Sequence, residues 1–230
     1  MKKSLFFGVL LLLLASCAQQ KIAYNLDKVK VVPESQRLSQ IVFSVQNFED
    51  IRSSSEQNEA LLQAKQATIK MNKTNTCVNA EKFYKTPVGE QMTSLFANHL
   101  ISKKVFANVL VNQKEVADYY LTGKIKHFYG TQEYSPGAAV GAQFGLIGAL
   151  ATSNLKTKGV IIIELTDLCI YDNNDNLIAQ VGDFKKEYEG EFPVDANCFC
   201  IFNNINQKLY AFNEDLAQVL WMEVTSNQEK

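Results

Sequence analysis

Hydrophobic and polar positions alternate with different periods along the chain, and each change of period marks an element. Leu5 to Ala15 is an apolar run of 11 residues after Lys2 and Lys3. Residues 18–39 are polar and mixed, carry Pro33, and read as a tether. Ile41-Val42-Phe43-Ser44-Val45 is the first strong β segment. The polar stretch 47–85 reads as an irregular insertion, in which 60–69 offers a helical turn or two. Thr86-Pro87 then opens a helix, with Thr86 as cap, Pro87 at the first helical position and Gln91 supporting the first turn. Val88, Met92, Leu95, Phe96, His99 and Leu100 recur at helical spacing, and Lys103 and Lys104 close the element where cations complement its dipole.

The second half is mostly β. Residues 105–111 predict a short strand and 119–129 a longer one ending in Phe128-Tyr129. Residues 160–171 and 177–188 flank Asp172-Asn173-Asn174-Asp175-Asn176, a hairpin junction. A final helix is predicted over about 203–223, with Ile205, Leu209, Phe212, Leu216, Val219 and Leu220 on one stripe. The order strand, helix, strand, strand, insert, strand, strand, helix predicts an α+β fold: an antiparallel-rich sheet with two amphipathic helices on one face, a two-layer sandwich. One domain over 40–224 fits the usual size, leaving 225–230 as a tail. No internal repeat is visible.

Composition changes the picture little. The 230 residues are 47% hydrophobic and 20% charged with net charge −1, which fits a globular chain and argues against a nucleic-acid binder. No apolar run reaches the roughly 18 residues of a membrane-spanning helix. The N-terminal run instead reads as the core of a signal peptide over 1–16. Leu14-Ala15-Ser16-Cys17 closes it and looks like a bacterial lipobox, in which cleavage precedes a Cys that receives diacylglycerol and palmitate. The mature chain would run from Cys17 to Lys230 with net charge −3. Several acyl chains would anchor it stably, since one alone binds only marginally. Ala18 after the Cys, where Asp is absent, resembles an outer-membrane address.

Catalytic chemistry is not visible in the sequence. His99 sits on the apolar face of the first helix and His127 on a strand beside aromatics, both reading as structural. HExxH, nucleophile-elbow, GxGxxG and phosphate-loop patterns are missing. Glu49-Asp50 and Glu187/Glu189 read as surface carboxylates, and Asp172 and Asp175 as turn residues rather than calcium ligands. No metal, cofactor or enzymatic activity is expected.

Apart from Cys17, four cysteines remain: Cys77, Cys169, Cys198 and Cys200. In an oxidising compartment Cys77 is expected to bond Cys198 or Cys200 and pin the insertion to the domain, while Cys169 stays reduced. On a strand, the two thiols of Cys198-Phe199-Cys200 would share one face.

Residues 136–152 have another texture, Gly, Ala and large apolar residues without charge. Gly137, Gly141 and Gly145 recur every fourth position, a small-residue ridge on a helix. Residues 137–151 would span only about 22 Å as a helix, short of a bilayer core near 30 Å. The segment is expected to be a helix or helical hairpin between two strands, with Gly141, Phe144, Gly145, Leu146 and Ile147 touching a membrane or partner. A crossover packed on the domain's own sheet is the alternative.

The lipobox, the strand at 41–45, the helix VGEQMTSLFANHL, the strand ADYYLTGKIKHFYG and the hairpin around DNNDN together resemble YajG-like outer-membrane lipoproteins. More distantly they resemble small periplasmic lipoproteins of envelope transport and secretion systems, including the curli-secretion lipoprotein. The likeness covers about 40–222, and 47–85 and the CxC depart from it. It implies a periplasmic α+β domain and assigns no functional residue beyond Cys17. The expected function is non-enzymatic: a lipid-anchored protein serving an envelope assembly or transport complex by protein contacts. The alternatives are a membrane-inserting or pore-forming secretion subunit, or a carrier of an apolar ligand. Neither the partner nor the oligomeric state is legible.

Overall fold

The computed structural model describes residues 20–53, 76–78, 83–144, 148, 154–194 and 198–228. In chain order the elements are β1 (Leu38–Val45), β2 (Glu49–Asp50), β3 (Thr76–Val78), α1 (Val88–Lys103), β4 (Phe106–Val111), β5 (Tyr119–Glu133), α2 (Pro136–Gln143), β6 (Lys156–Asp172), β7 (Leu177–Pro193) and α3 (Cys200–Gln228). Three short 3-10 turns lie at Leu26–Lys28, Glu34–Gln36 and Lys114–Val116.

The seven strands form one mixed sheet in the order β4-β1-β5-β6-β7, with β2 and β3 also pairing with β5. β1 lies parallel to both β4 and β5, so the antiparallel-rich sheet expected from the sequence is corrected to a mixed one. The cause is α1. Parallel neighbours need a long crossover, usually through a helix, and α1 supplies that connection between β1 and β4. The connection from β4 to β5 then crosses the outer face of β1. There the Gln113 amide donates to Ser44 Oγ (3.2 Å), and Asp118 both donates its amide to the Val42 carbonyl (2.8 Å) and accepts the Val42 amide on Oδ2 (2.7 Å). That crossing explains why the polar Ser44 is fully buried.

β5, β6 and β7 form the long antiparallel half, and the 172–176 turn closes as predicted. Asp172 Oδ1 accepts the amides of Asn174 (2.8 Å) and Asn176 (2.9 Å), and Asp175 takes the left-handed φ of 63° that this turn requires. The strands run longer than their alternation suggested, because β6 continues to Lys156 and β7 to Pro193.

The core lies between the sheet and the helices α1 and α3. Every residue on the predicted α1 stripe is buried, and so are Ile205, Leu209, Phe212, Leu216 and Leu220 on α3. Phe43 stacks on Phe106 at 4.3 Å and Phe184 meets Phe212 edge-on at 4.9 Å, which ties β1, β4, β7 and α3 into one cluster. Other expectations change at the edges. Pro87, not Thr86, caps α1, with no side-chain cap bond. The Thr86 carbonyl instead accepts from Gln91 Nε2 (2.6 Å). The stretch 47–85 contains β2 and β3, both added to β5, while 60–69 lies outside the described residues. The tail expected from 225 is helical through Gln228, with Val224 buried.

Gly89 is where close approach dictates the residue. A Cβ there would stand 2.7 Å from the Phe48 carbonyl oxygen. That backbone is fixed, because the Phe48 amide donates to Thr93 Oγ (2.9 Å) and the Thr93 hydroxyl donates to the Gly89 carbonyl (2.8 Å). In a free helix Gly→Ala gains up to about 1 kcal/mol. Gly89→Ala is expected to reverse that sign and cost about 1–3 kcal/mol through overpacking, read as a lower urea midpoint. At Gly137 on α2 the nearest atom to a new Cβ is 3.6 Å away, so Gly137→Ala should leave the midpoint unchanged or raised. Equal shifts in the two variants would refute the packing argument.

Candidate functional site

Within the stretch expected to form a tether, the described residues from Gln20 to Arg37 form a strap laid along the helices. Gln20 is held at both backbone groups, its amide donating to the Phe83 carbonyl (2.7 Å) and its carbonyl accepting the Lys85 amide (3.3 Å). The Ile22 amide donates to Gln91 Oε1 (2.9 Å), and Ile22 and Val29 are buried. Farther along, α3 supplies a row of partners. Asn206 Nδ2 donates to the Lys21 carbonyl (3.1 Å), the Tyr210 hydroxyl to the Lys28 carbonyl (3.0 Å) and Trp221 Nε1 to the Gln36 carbonyl (2.7 Å). The strap therefore follows α3 from its second turn nearly to its end.

Under the strap lies a continuous polar chain. Asn213 Nδ2 donates to Tyr24 Oη (2.7 Å), Tyr24 Oη meets His99 Nδ1 (2.9 Å), and His99 Nε2 meets Glu214 Oε2 (3.1 Å). Lys103 Nζ bonds the other Glu214 oxygen. The carboxylate fixes the tautomer: Nε2 carries the proton towards Glu214, so Nδ1 accepts from Tyr24, whose oxygen is free to accept from Asn213. His99 is fully buried, and burial pushes its pKa down to about 4, outweighing the pull of Glu214. Burial likewise holds the Tyr24 hydroxyl well above its ordinary value. A neutral histidine locked on both nitrogens beside an un-ionised tyrosine fastens the strap and offers no free base. A groove of about 400 Å³ opens beside it, lined by Val31, Val32, Lys103, Glu214, Ala217 and Trp221 among others.

The other polar candidates are held in local contacts. Glu164, buried on the outer face, lies 2.8 Å from Lys126 Nζ and 3.7 Å from His127 Nε2. Asp175 accepts from Lys114 Nζ (3.0 Å) and the Tyr120 hydroxyl, which keeps its carboxyl below the usual range. Glu49, Asp50, Glu187 and Glu189 are exposed. Among the described residues no cluster of three or more metal-ligating side chains occurs.

The cysteine motif is not on a strand. Cys200 begins α3, because the apolar stripe extends back through the buried Ile201 and Phe202, and Cys198 precedes it with a left-handed φ of 64°. Cys198 is disulfide-bonded, whereas Cys169 and Cys200 stay in the thiol form. Cys200 is thereby removed as a partner for Cys77. The backbone of Cys77 pairs opposite Gln132, and Gln132 Oε1 accepts from Asn204 Nδ2 (2.8 Å) near the start of α3.

The apolar insert begins as the expected helix between two strands. On α2, Ala138 and Gly141 are buried, while Gly137 and Val140 face outward, followed by Phe144, 71% exposed. Gly141, one turn on from Gly137, is nevertheless buried, because Gly148 lies directly against its carbonyl. Gly145, Leu146 and Ile147 lie outside the described residues. Among the described residues no helix is long and apolar enough to cross a membrane.

The His99 geometry predicts a pH dependence. A histidine with pKa near 6.5 unfolded and about 4 folded binds protons preferentially in the unfolded chain between those values. Stability is therefore complete above about pH 6.5 and falls on acidification towards pH 4, by up to about 3 kcal/mol. Urea midpoints measured from pH 7 to 4.5 should fall more steeply in the wild type than in His99→Gln. Identical slopes would show that His99 is not the responsible group.

No protein-family model matches the chain, and no curated protein matches it in sequence. Among solved structures it is similar to protein XCC0632 from Xanthomonas campestris, of the family DUF330, with a TM-score of 0.52 at 8% identity, covering 88% of this chain and 95% of that one. Weaker likenesses, to a neuraminyllactose-binding hemagglutinin homolog from Helicobacter pylori (TM-score 0.35, 14% identity, 90% and 98% covered) and to PelC, a dodecamer from Paraburkholderia phytofirmans (TM-score 0.32, 10% identity, 76% and 86% covered), carry no argument. The likeness to the Xanthomonas protein extends over most of both chains and is one of fold alone.

Proposed function

We propose that this chain is a lipid-anchored periplasmic lipoprotein of the outer membrane, acting without catalysis in an envelope assembly or transport complex. On this reading its α+β body, a two-layer sandwich, serves as a contact surface. The observation that carries the proposal is the sequence Leu14-Ala15-Ser16-Cys17 at the end of a basic-then-apolar leader. Ala18 supports the outer-membrane address, and the pattern-level resemblance to YajG-like lipoproteins supports the compartment. The polar network at His99 supports a non-enzymatic role, since its ionisable groups are locked into fastening the strap.

The expected lipidation has a direct test. In cells grown with labelled palmitate, the wild type should take up label and Cys17→Ala should not, the variant remaining uncleaved or mislocalised. Equal labelling of both would overturn the proposal.

An oxidising compartment also bears on the disulfide. We assign Cys77 as the partner of Cys198, since Cys17 is reserved for acylation and Cys169 and Cys200 stay in the thiol form. The bond would close a loop of about 120 residues and, in the chain-entropy account, add a few kcal/mol of stability. Non-reducing peptide mapping of protein from the periplasm should recover a peptide joining Cys77 to Cys198. Complete alkylation of both thiols without reductant would contradict the assignment.

A further inference from the structure

We infer that the end of the domain bearing α2 rests on the lipid bilayer, with Val140 and Phe144 inserted at the membrane interface beside the anchor. This rests on the lipid-anchor reading of Cys17 and adds an orientation to it. Three peptide units separate Cys17 from Gln20, and fully extended they reach at most about 11 Å. Gln20 itself cannot swing, being bonded at its amide and carbonyl to Phe83 and Lys85 and followed by the buried Ile22. An acylated Cys17 would therefore hold whatever surrounds Gln20 close to the bilayer.

Position in the fold says what that is. Phe83 packs on Phe202 in the first turn of α3, and Asn204 in the same turn bonds Gln132 near the end of β5 and the carbonyl of Pro193 at the end of β7. α2 follows directly from β5 and leads to the start of β6 at that same end of the sheet. Its outward positions, Gly137, Val140 and Phe144, fall at i, i+3 and i+7 on one side, and Val140 and Phe144 are 52% and 71% exposed. Residues 136–152 contain no charge at all. An exposed apolar stripe of this kind marks a contact surface. At eight residues, about 12 Å, α2 is too short to cross a bilayer and suited to lie in its interface. Charge at this end is mixed, with Lys156 and Lys158 on β6 beside Glu189 and Glu191 on β7, so neither sign dominates. The association is expected to be apolar and insensitive to salt.

The single tryptophan, Trp221, gives the test its control. It lies about 30 Å along α3 from Cys200, away from the proposed contact. The lipidated full chain is reconstituted on phosphatidylethanolamine–phosphatidylglycerol vesicles whose acyl chains carry bromine, a contact quencher of indole. Wild-type emission should be unaffected. The emission added by Phe144→Trp should be mostly quenched, equally at low and high salt, and Val140→Trp should repeat the result if the first variant folds poorly. If the added tryptophan stays unquenched on protein that co-sediments with the vesicles, the orientation is wrong while the anchor stands, and α2 faces a protein partner or water. Quenching of Trp221 would also overturn it, by placing the opposite end on the membrane. Failure of the lipidated chain to co-sediment at all would refute the anchor, and this inference with it.

Discussion

Strand β5 is the constraint on which the rest of the structure depends. Along one edge its 15 residues accept β1 and β2 in parallel and then β3 antiparallel, while the other edge pairs with β6 over nearly its whole length. No other strand touches both halves of the sheet. The irregularity between Thr122 and Lys124 puts an extra residue into β6. The one between Ile125 and His127 puts the extra residue into β5 and switches which side of that strand faces inward. As a result Leu121, Ile125 and Phe128 all reach the core despite their uneven spacing. Gly130 then lets α3 come close, since a Cβ there would stand 2.8 Å from Ile205. The strap, the start of α3 and the position of α2 are all set from the far end of this strand.

Much of this was legible because it is periodic. The α1 face, the α3 stripe and the hairpin at 172–176 follow from spacing and turn chemistry, which act over a few residues. The parallel pairing of β1 with β4 was in principle readable too, since a strand, a helix and a strand in sequence favour a parallel return. The long interruption between Val45 and Val88 hid that unit, and the hairpin in the second half suggested one antiparallel rule for the whole sheet. β2 and β3 were invisible because two or three residues carry no period.

The strap shows a different limit. Residues 20–37 keep most of their polar side chains exposed while α3 holds several of their backbone groups, so their polarity alone reads as a tether. A signal existed on the helix rather than in the strap: Asn206, Tyr210, Asn213 and Trp221 form a second, hydrogen-bonding stripe beside the apolar one. A helix surface with amides and ring donors at i, i+4 and i+7 is built to receive a chain as well as to face solvent. The role of His99 was half legible for the same reason. Its place on the apolar face announced burial, but its partners Tyr24 and Glu214 lie 75 and 115 residues away in sequence, beyond any local pattern. The start of α3 at Cys200 rather than near Asn203 was not legible, because two or three residues cannot show where a helix begins.

A strap and a tether differ mechanically, and that difference shapes what an anchored domain can do. A flexible linker of some twenty residues would let the body explore a wide shell above its attachment point. Here the same residues are bonded from Lys21 to Gln36 against a helix of 29 residues, about 43 Å long. If Cys17 is acylated, little slack remains between lipid and domain, and the sheet stands at a fixed height and tilt. The polar chain through Tyr24, His99 and Glu214 is the clip under the strap that helps keep it so. A partner reaching for such a domain would meet a surface already oriented, with less rotational freedom to lose on binding.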